Sequence, residues 1–119
     1  MMEEKGVLPD GIEYEGMLCR NYTLREQIVA DAVEVFESEA AERAMKSDSY
    51  YGVCIMSRRV AISGVLAEKM TPDLLMAMSQ DDFNELHAAV NRLGEKRRRF
   101  RSQLAAPEAG APGNDETGL

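Results

Sequence analysis

The sequence predicts a mainly helical α+β domain: a small N-terminal β-hairpin, three to four helices, and a disordered C-terminal tail. Three observations carry that reading. Apolar and polar residues alternate on either side of Gly16, the period of a half-buried hairpin. From Ile28 onward, apolar residues recur at three- and four-residue steps, the period of a helix. From Ala105 the composition turns to Pro, Gly and small residues, too little apolar surface to offset the entropy of ordering.

Residues 1–7 read as a flexible start. LPDG (8–11) reads as a turn, with Pro9 presetting φ, Asp10 able to bond its own backbone and Gly11 permitting positive φ. Ile12 and Tyr14 then alternate with Glu13 and Glu15, and Leu18 and Arg20 with Cys19, which places strands near 11–15 and 18–23. Thr23 with Glu26 three residues on has the form of a capping box opening a helix. Ile28, Val29, Ala32, Val33, Phe36, Ala40 and Ala44 form one apolar stripe on it, with Asp31, Glu34 and Glu37 on the other face. The helix runs to about Lys46.

SDSYYG (47–52) is a linker with Ser49 as cap. The next stretch, VCIMSRRVAISG, carries β-branched residues that favour a strand and a spacing that also suits a helix. The balance falls to a helix at 50–63, ended by Gly64. TPDLLMAM (71–78) starts a short helix with Thr71 as N-cap and Pro72 in the first turn. SQDD (79–82) caps the last helix, whose seam is Phe83, Leu86, Val90, Leu93, Arg97, Phe100 and Leu104. Residues 8–104 thus make one small domain, and 105–119 the tail.

The chain has 119 residues and a net charge of −7, a balance that disfavours general attraction to nucleic acid or anionic membranes. No apolar run approaches the length of a membrane span, and the acidic N-terminus lacks the order of a signal peptide. Cys19 and Cys54 lie far apart and read as two free thiols of a cytosolic protein, not a disulfide framework or zinc set. His87 reads as a helix-surface histidine. Asp81 and Asp82 are explained by capping, and neither a GxSxG nucleophile motif nor a phosphate loop is present. The expectation is a protein with no catalytic centre, no metal and no cofactor.

One run stands apart from this acidic background. Lys96, Arg97, Arg98, Arg99 and Arg101 crowd the last turns of the final helix. Cations there favour the helix dipole by about 0.3–1 kcal/mol and offer a charged docking strip. The competing reading is a small nucleic-acid-associated regulator that uses residues 96–101. It is disfavoured because the only aromatic in the run, Phe100, falls on the apolar seam. The seam over 83–104 also offers a route to homo-oligomers. Eight methionines, with Met70, Met76 and Met78 clustered, serve either as core filling or as a malleable groove for a partner helix.

The order of these pieces resembles the tail assembly chaperones of long-tailed and Mu-like bacteriophages. LPDG, then a hairpin ending YTLRE, then an acidic helix is similar to the start of that family. MTPDLLMAMSQDDFNELHAAVNRL is similar to its second signature. The match covers roughly residues 7–95, at Leu8 to Gly11, Leu24, Arg25, Thr71, Leu74, Leu75 and Asp82. This chain departs from it in the basic helix end and in a cysteine in the hairpin. The resemblance implies a small, helical, non-catalytic protein that binds the tape-measure protein and helps tail-tube subunits polymerise around it. It also implies action in the bacterial host cytoplasm, absence from the mature virion and, in many members, a longer frameshifted product. The partner contacts expected from the Met and Leu density are Leu74, Leu75, Met76, Met78, Phe83 and Leu86. A structural tail or baseplate subunit is the further alternative.

Overall fold

The structure, a computed structural model, describes the backbone of residues 1–109 and the side chains of residues 1–104. A three-stranded antiparallel sheet, ordered β1-β2-β3, is joined by five helices among the described residues. The α+β expectation holds, and the hairpin is larger than its sequence signals suggested.

Strand β1 spans Glu3–Tyr14 and β2 spans Met17–Arg25. The chain between them turns on Glu15 and Gly16, both at positive φ (50° and 78°), the two-residue geometry that follows the twist of a hairpin. Residues 3–7 were expected to be loose. They are instead paired, from Glu3 opposite Arg25 to Val7 opposite Asn21. Their alternate side chains face the last helix, which supplies partners that no local pattern shows.

LPDG is not a free turn but a wide bulge inside β1. Four residues, Leu8 to Gly11, stand opposite the single Arg20 before pairing resumes at Ile12 and Cys19. The Arg20 side chain fills the interrupted ladder by donating to the carbonyls of Leu8 (2.9 Å) and Pro9 (3.1 Å). The bulge turns Leu8 fully inward.

The first helix starts later than expected and is broken. Thr23 lies in β2, and the Glu26 carboxylate accepts the Met2 N–H at 2.9 Å instead of capping a helix. Helix α1 covers Val29–Phe36, with the Asp31 carboxylate accepting the Ile28 N–H at 2.9 Å. Ser38 then donates its hydroxyl to the Val35 carbonyl (2.6 Å) and accepts the Ala40 N–H (3.1 Å). Such local bonds compete with the helical ladder, so the chain pauses and restarts as α2, Ala41–Lys46.

Helix α3 spans Asp48–Arg59 and is capped by Ser47, two residues before the expected Ser49. The expected helix to residue 63 stops at Arg59. Val60–Ile62 become β3 and pair with Tyr22, Thr23 and Leu24. The open edge of β2 and the burial of Val60 and Ile62 outweigh the helical spacing. A short 3-10 turn, Ala67–Lys69, leads to α4, Pro72–Met76, where Thr71 accepts the Leu74 N–H as expected.

Helix α5 runs from Gln80 to Ala109 and crosses the sheet. The expected tail at 105–119 is corrected in part: 105–109 continue the helix. Residues 110–119 lie outside the described residues. Leu86, Ala89 and Leu93 of α5 close the main core over Leu8, Tyr22 and Leu24 of the sheet and Leu75 of α4. Burying a leucine of this kind contributes about 1.5–3 kcal/mol. A second, smaller core gathers Val35, Ala44, Cys54 and Ile55 among α1, α2 and α3.

Candidate interaction surface

Successive helical residues rotate by about 100°, so Val29, Val33 and Phe36 share one narrow face of α1, while Asp31 and Val35 lie nearly opposite. The buried side is the one with Asp31 and Val35, each at most 3% exposed. The apolar stripe therefore points to solvent, with Val29 83% and Phe36 44% exposed. Helix α1 is rotated relative to its sequence pattern: Asp31 is inside and the large apolar residues of the stripe outside, with Ala32 of the same stripe still packed on the second core.

The cause is an ion cluster under the helix. Arg25 grips the buried Asp31 carboxylate with both terminal nitrogens, at 2.6 and 3.0 Å, and donates to the Arg58 carbonyl. Arg58 approaches Asp31 at 3.5 Å and pairs with Glu34. The hydrogen bond from Arg25 holds the Asp31 carboxyl below its usual range, against the opposing effect of burial. Arg59 donates its Nε to the Arg25 carbonyl, and burial pushes its pKa down. A carboxylate that finds this partner set anchors α1 by its polar side, and the valines are left outside. Phe36 stacks on Tyr51 of α3 at 5.5 Å and 15°, which fixes one end of the exposed stripe. Glu34 and Glu37 flank it.

The residues expected to touch a partner are placed differently. Leu75 and Leu86 are core residues, and Leu74, Met78 and Phe83 are half-buried against the same core. Only Met76 of that group is exposed. The spacing that singled them out is the spacing of the chain's own α4–α5 packing. Likewise the seam over 83–104 is spent internally through Leu93, and Phe100 and Leu104 are the apolar seam residues exposed beyond it.

The basic run divides in two. Lys96 reaches Glu4 (2.9 Å) and the Glu3 carbonyl (2.9 Å), and Arg97 pairs with Glu26. One turn earlier, Arg92 binds Glu4 (2.8 Å), Glu85 (3.0 Å) and the Tyr22 hydroxyl (3.0 Å). These bonds hold Glu4 below the ordinary carboxylate range, Lys96 contributing most. Arg98, Arg99 and Arg101 have no ion-pair partner among the described residues. The run is therefore half staple, half free surface.

Other chemistry-bearing groups are occupied. Cys19 and Cys54 are free thiols and buried, and burial pushes the Cys54 pKa up, away from nucleophilic character. His87 is exposed and meets the edge of Phe83 at 4.7 Å. Among the described residues no three His, Cys, Asp or Glu side chains gather closely enough to hold a metal ion, and no helix is long and apolar enough to cross a membrane. An open cleft of about 510 Å³ lies beside α1, bordered by Glu34, Ser38, Tyr50, Cys54, Arg58 and Thr71.

No protein-family model, no curated protein and no solved structure matches this chain. The candidate surface therefore rests on the geometry of α1. Its stripe was visible in the sequence, but the sign of its orientation was not, because the ion cluster that sets it joins Arg25, Asp31 and Arg58 from three separate elements.

Proposed function

We propose that this protein is a binding protein that acts as a phage tail assembly chaperone, covering apolar helical segments of the tape-measure protein. The observation that supports this most is the solvent-facing stripe Val29, Val33 and Phe36 on α1, held outward by a buried ion cluster. A client helix laid along it would remove both apolar stripes from water, the helix-in-groove mode of recognition. Glu34 and Glu37 at its flank, with the net charge of −7, would keep the complex soluble. The resemblance of LPDG, YTLRE and MTPDLLMAMSQDDF to that family gives the client its identity. Action in the host cytoplasm, handover to tail-tube subunits and absence from the finished virion belong to the same reading.

The nucleic-acid reading loses ground because Lys96 and Arg97 are engaged with Glu4 and Glu26, leaving a smaller basic patch. Co-expression with the tape-measure protein of the same genome tests the proposal. The expected result is a soluble complex that Val33→Glu and Phe36→Glu abolish and Met76→Ala leaves intact. A tape-measure protein equally soluble without this chain would overturn it.

A further inference from the structure

Beyond Arg97, one side of α5 still borders the domain, where Phe100 and Arg101 line a hollow with Met1, Met2 and Glu26. Residues 98–104 are all exposed. They carry Phe100 and Leu104, four residues apart and so on one face, set among Arg98, Arg99 and Arg101. It is a short amphipathic arm with an apolar edge and a positive rim. Elsewhere on the same chain lies its counterpart in sign: the α1 stripe, apolar, with Glu37 beside it and Glu39 following, while Glu34 and Glu42 are already paired with Arg58 and Lys46.

We propose that the α5 arm of one copy docks on the α1 face of a second copy. Charge selects this pairing over its rivals. Two α1 faces laid together would bring the glutamates of both copies side by side, and two arms would bring their arginines together. Arm against α1 joins opposite signs around two apolar stripes. If the two copies exchange arms reciprocally, the contact is doubled and the assembly closes as a symmetric dimer. This inference does not depend on the chaperone reading, since it needs no client. Where both hold, the arm shields the stripe until a client helix displaces it.

Sedimentation velocity of the full chain over a concentration series, without any client, is the test. The expected result is a concentration-dependent dimer that weakens as salt rises. Phe100→Glu, on the arm, and Val33→Glu, on the stripe, should each weaken dimerisation roughly tenfold or more. Both positions are exposed, so circular dichroism should show an unchanged fold. The deciding sample is an equimolar mixture of the two variants. Each retains one intact half of the contact, so the mixture should associate where neither variant does alone. A wild-type chain that stays monomeric at every concentration would overturn the proposal. So would a dimer indifferent to Phe100→Glu, or variants whose mixture fails to associate.

Discussion

The Asp82 carboxylate accepts the Gly11 backbone N–H at 3.0 Å, across 71 residues of sequence. Its other oxygen accepts the Asp10 N–H at 2.8 Å, and the aspartate is fully buried. The acidic residue of an apparent capping box is thus spent on the bulge of β1. Ser79 caps α5 by accepting the Asp82 N–H (3.1 Å) and donates to the Asp10 carboxylate (2.6 Å). Asp82→Ala removes the partner of two part-buried backbone donors and should cost about 1–3 kcal/mol in urea unfolding. Gly11→Ala should also destabilise. Its φ is +91°, and a Cβ would meet the Arg20 side chain at 2.5 Å.

Tyr22 lies over Gly6, its partner across the strands, where a Cβ would sit 2.4 Å from the phenol oxygen. That bare backbone lets the hydroxyl reach Glu85 at 2.6 Å. Burial, reinforced by Glu85, pushes the Tyr22 pKa up to about 12. Ultraviolet titration should show one tyrosine still protonated when the more ordinary phenols have ionised. Tyr22→Phe should cost about 1.5–3 kcal/mol, the worth of a hydrogen bond to a charged group.

Arg25→Ala leaves the buried Asp31 carboxylate with Arg58 as its one cationic neighbour, at 3.5 Å, and should cost up to about 3–5 kcal/mol. Adding Asp31→Asn to that variant should recover part of the loss, because the under-compensated buried charge is gone. A double variant no more stable than Arg25→Ala alone would show that the cluster does not anchor α1.

Asp31, Glu4 and Glu85 all have carboxyl pKa values lowered in the folded state, by Arg25, by Lys96 with Arg92, and by Tyr22 with Arg92 respectively. The stability they contribute is complete above the unfolded carboxylate range, near 4, and is lost as pH falls through the lower folded values. Thermal melts should therefore hold steady near neutrality and decline below about pH 4. Glu4→Gln should flatten part of that decline.

The location of the interaction surface can be separated from the core by stability alone. Leu75→Ala and Leu86→Ala should each cost about 2–5 kcal/mol, as buried leucines do. Val29→Lys, at an 83% exposed position, should change stability by less than about 0.5 kcal/mol while removing client binding. Equal costs would mean that the stripe is covered within the folded chain.

What was legible in the sequence was what is determined locally. Thr71, Pro72 and Ser79 mark the starts of α4 and α5 through bonds within one turn, and those starts are where they were expected. The strand at Glu3–Val7 was illegible because Glu4 finds its partners in Arg92 and Lys96, near the other end of the domain. LPDG has turn chemistry, yet Asp82 captures it as a bulge. Two of the expected contact residues lie inside for a related reason: Leu75 and Leu86 show helical spacing because they are the core, and spacing alone does not say which side of a helix is wet.

The packing of β1 against α5 also governs how the chain can acquire its shape. The first strand leaves the ribosome long before Leu86, Leu93, Arg92 and Lys96, which cover it. Until synthesis passes those residues, Leu8, Tyr22 and Leu24 have no roof, and the hairpin can form only as a transient. Folding must wait for contacts that span most of the chain, the arrangement that slows collapse and lengthens exposure to aggregation. A chain truncated before the last helix would leave Leu8, Tyr22 and Leu24 uncovered, and is expected to aggregate rather than fold as a smaller domain.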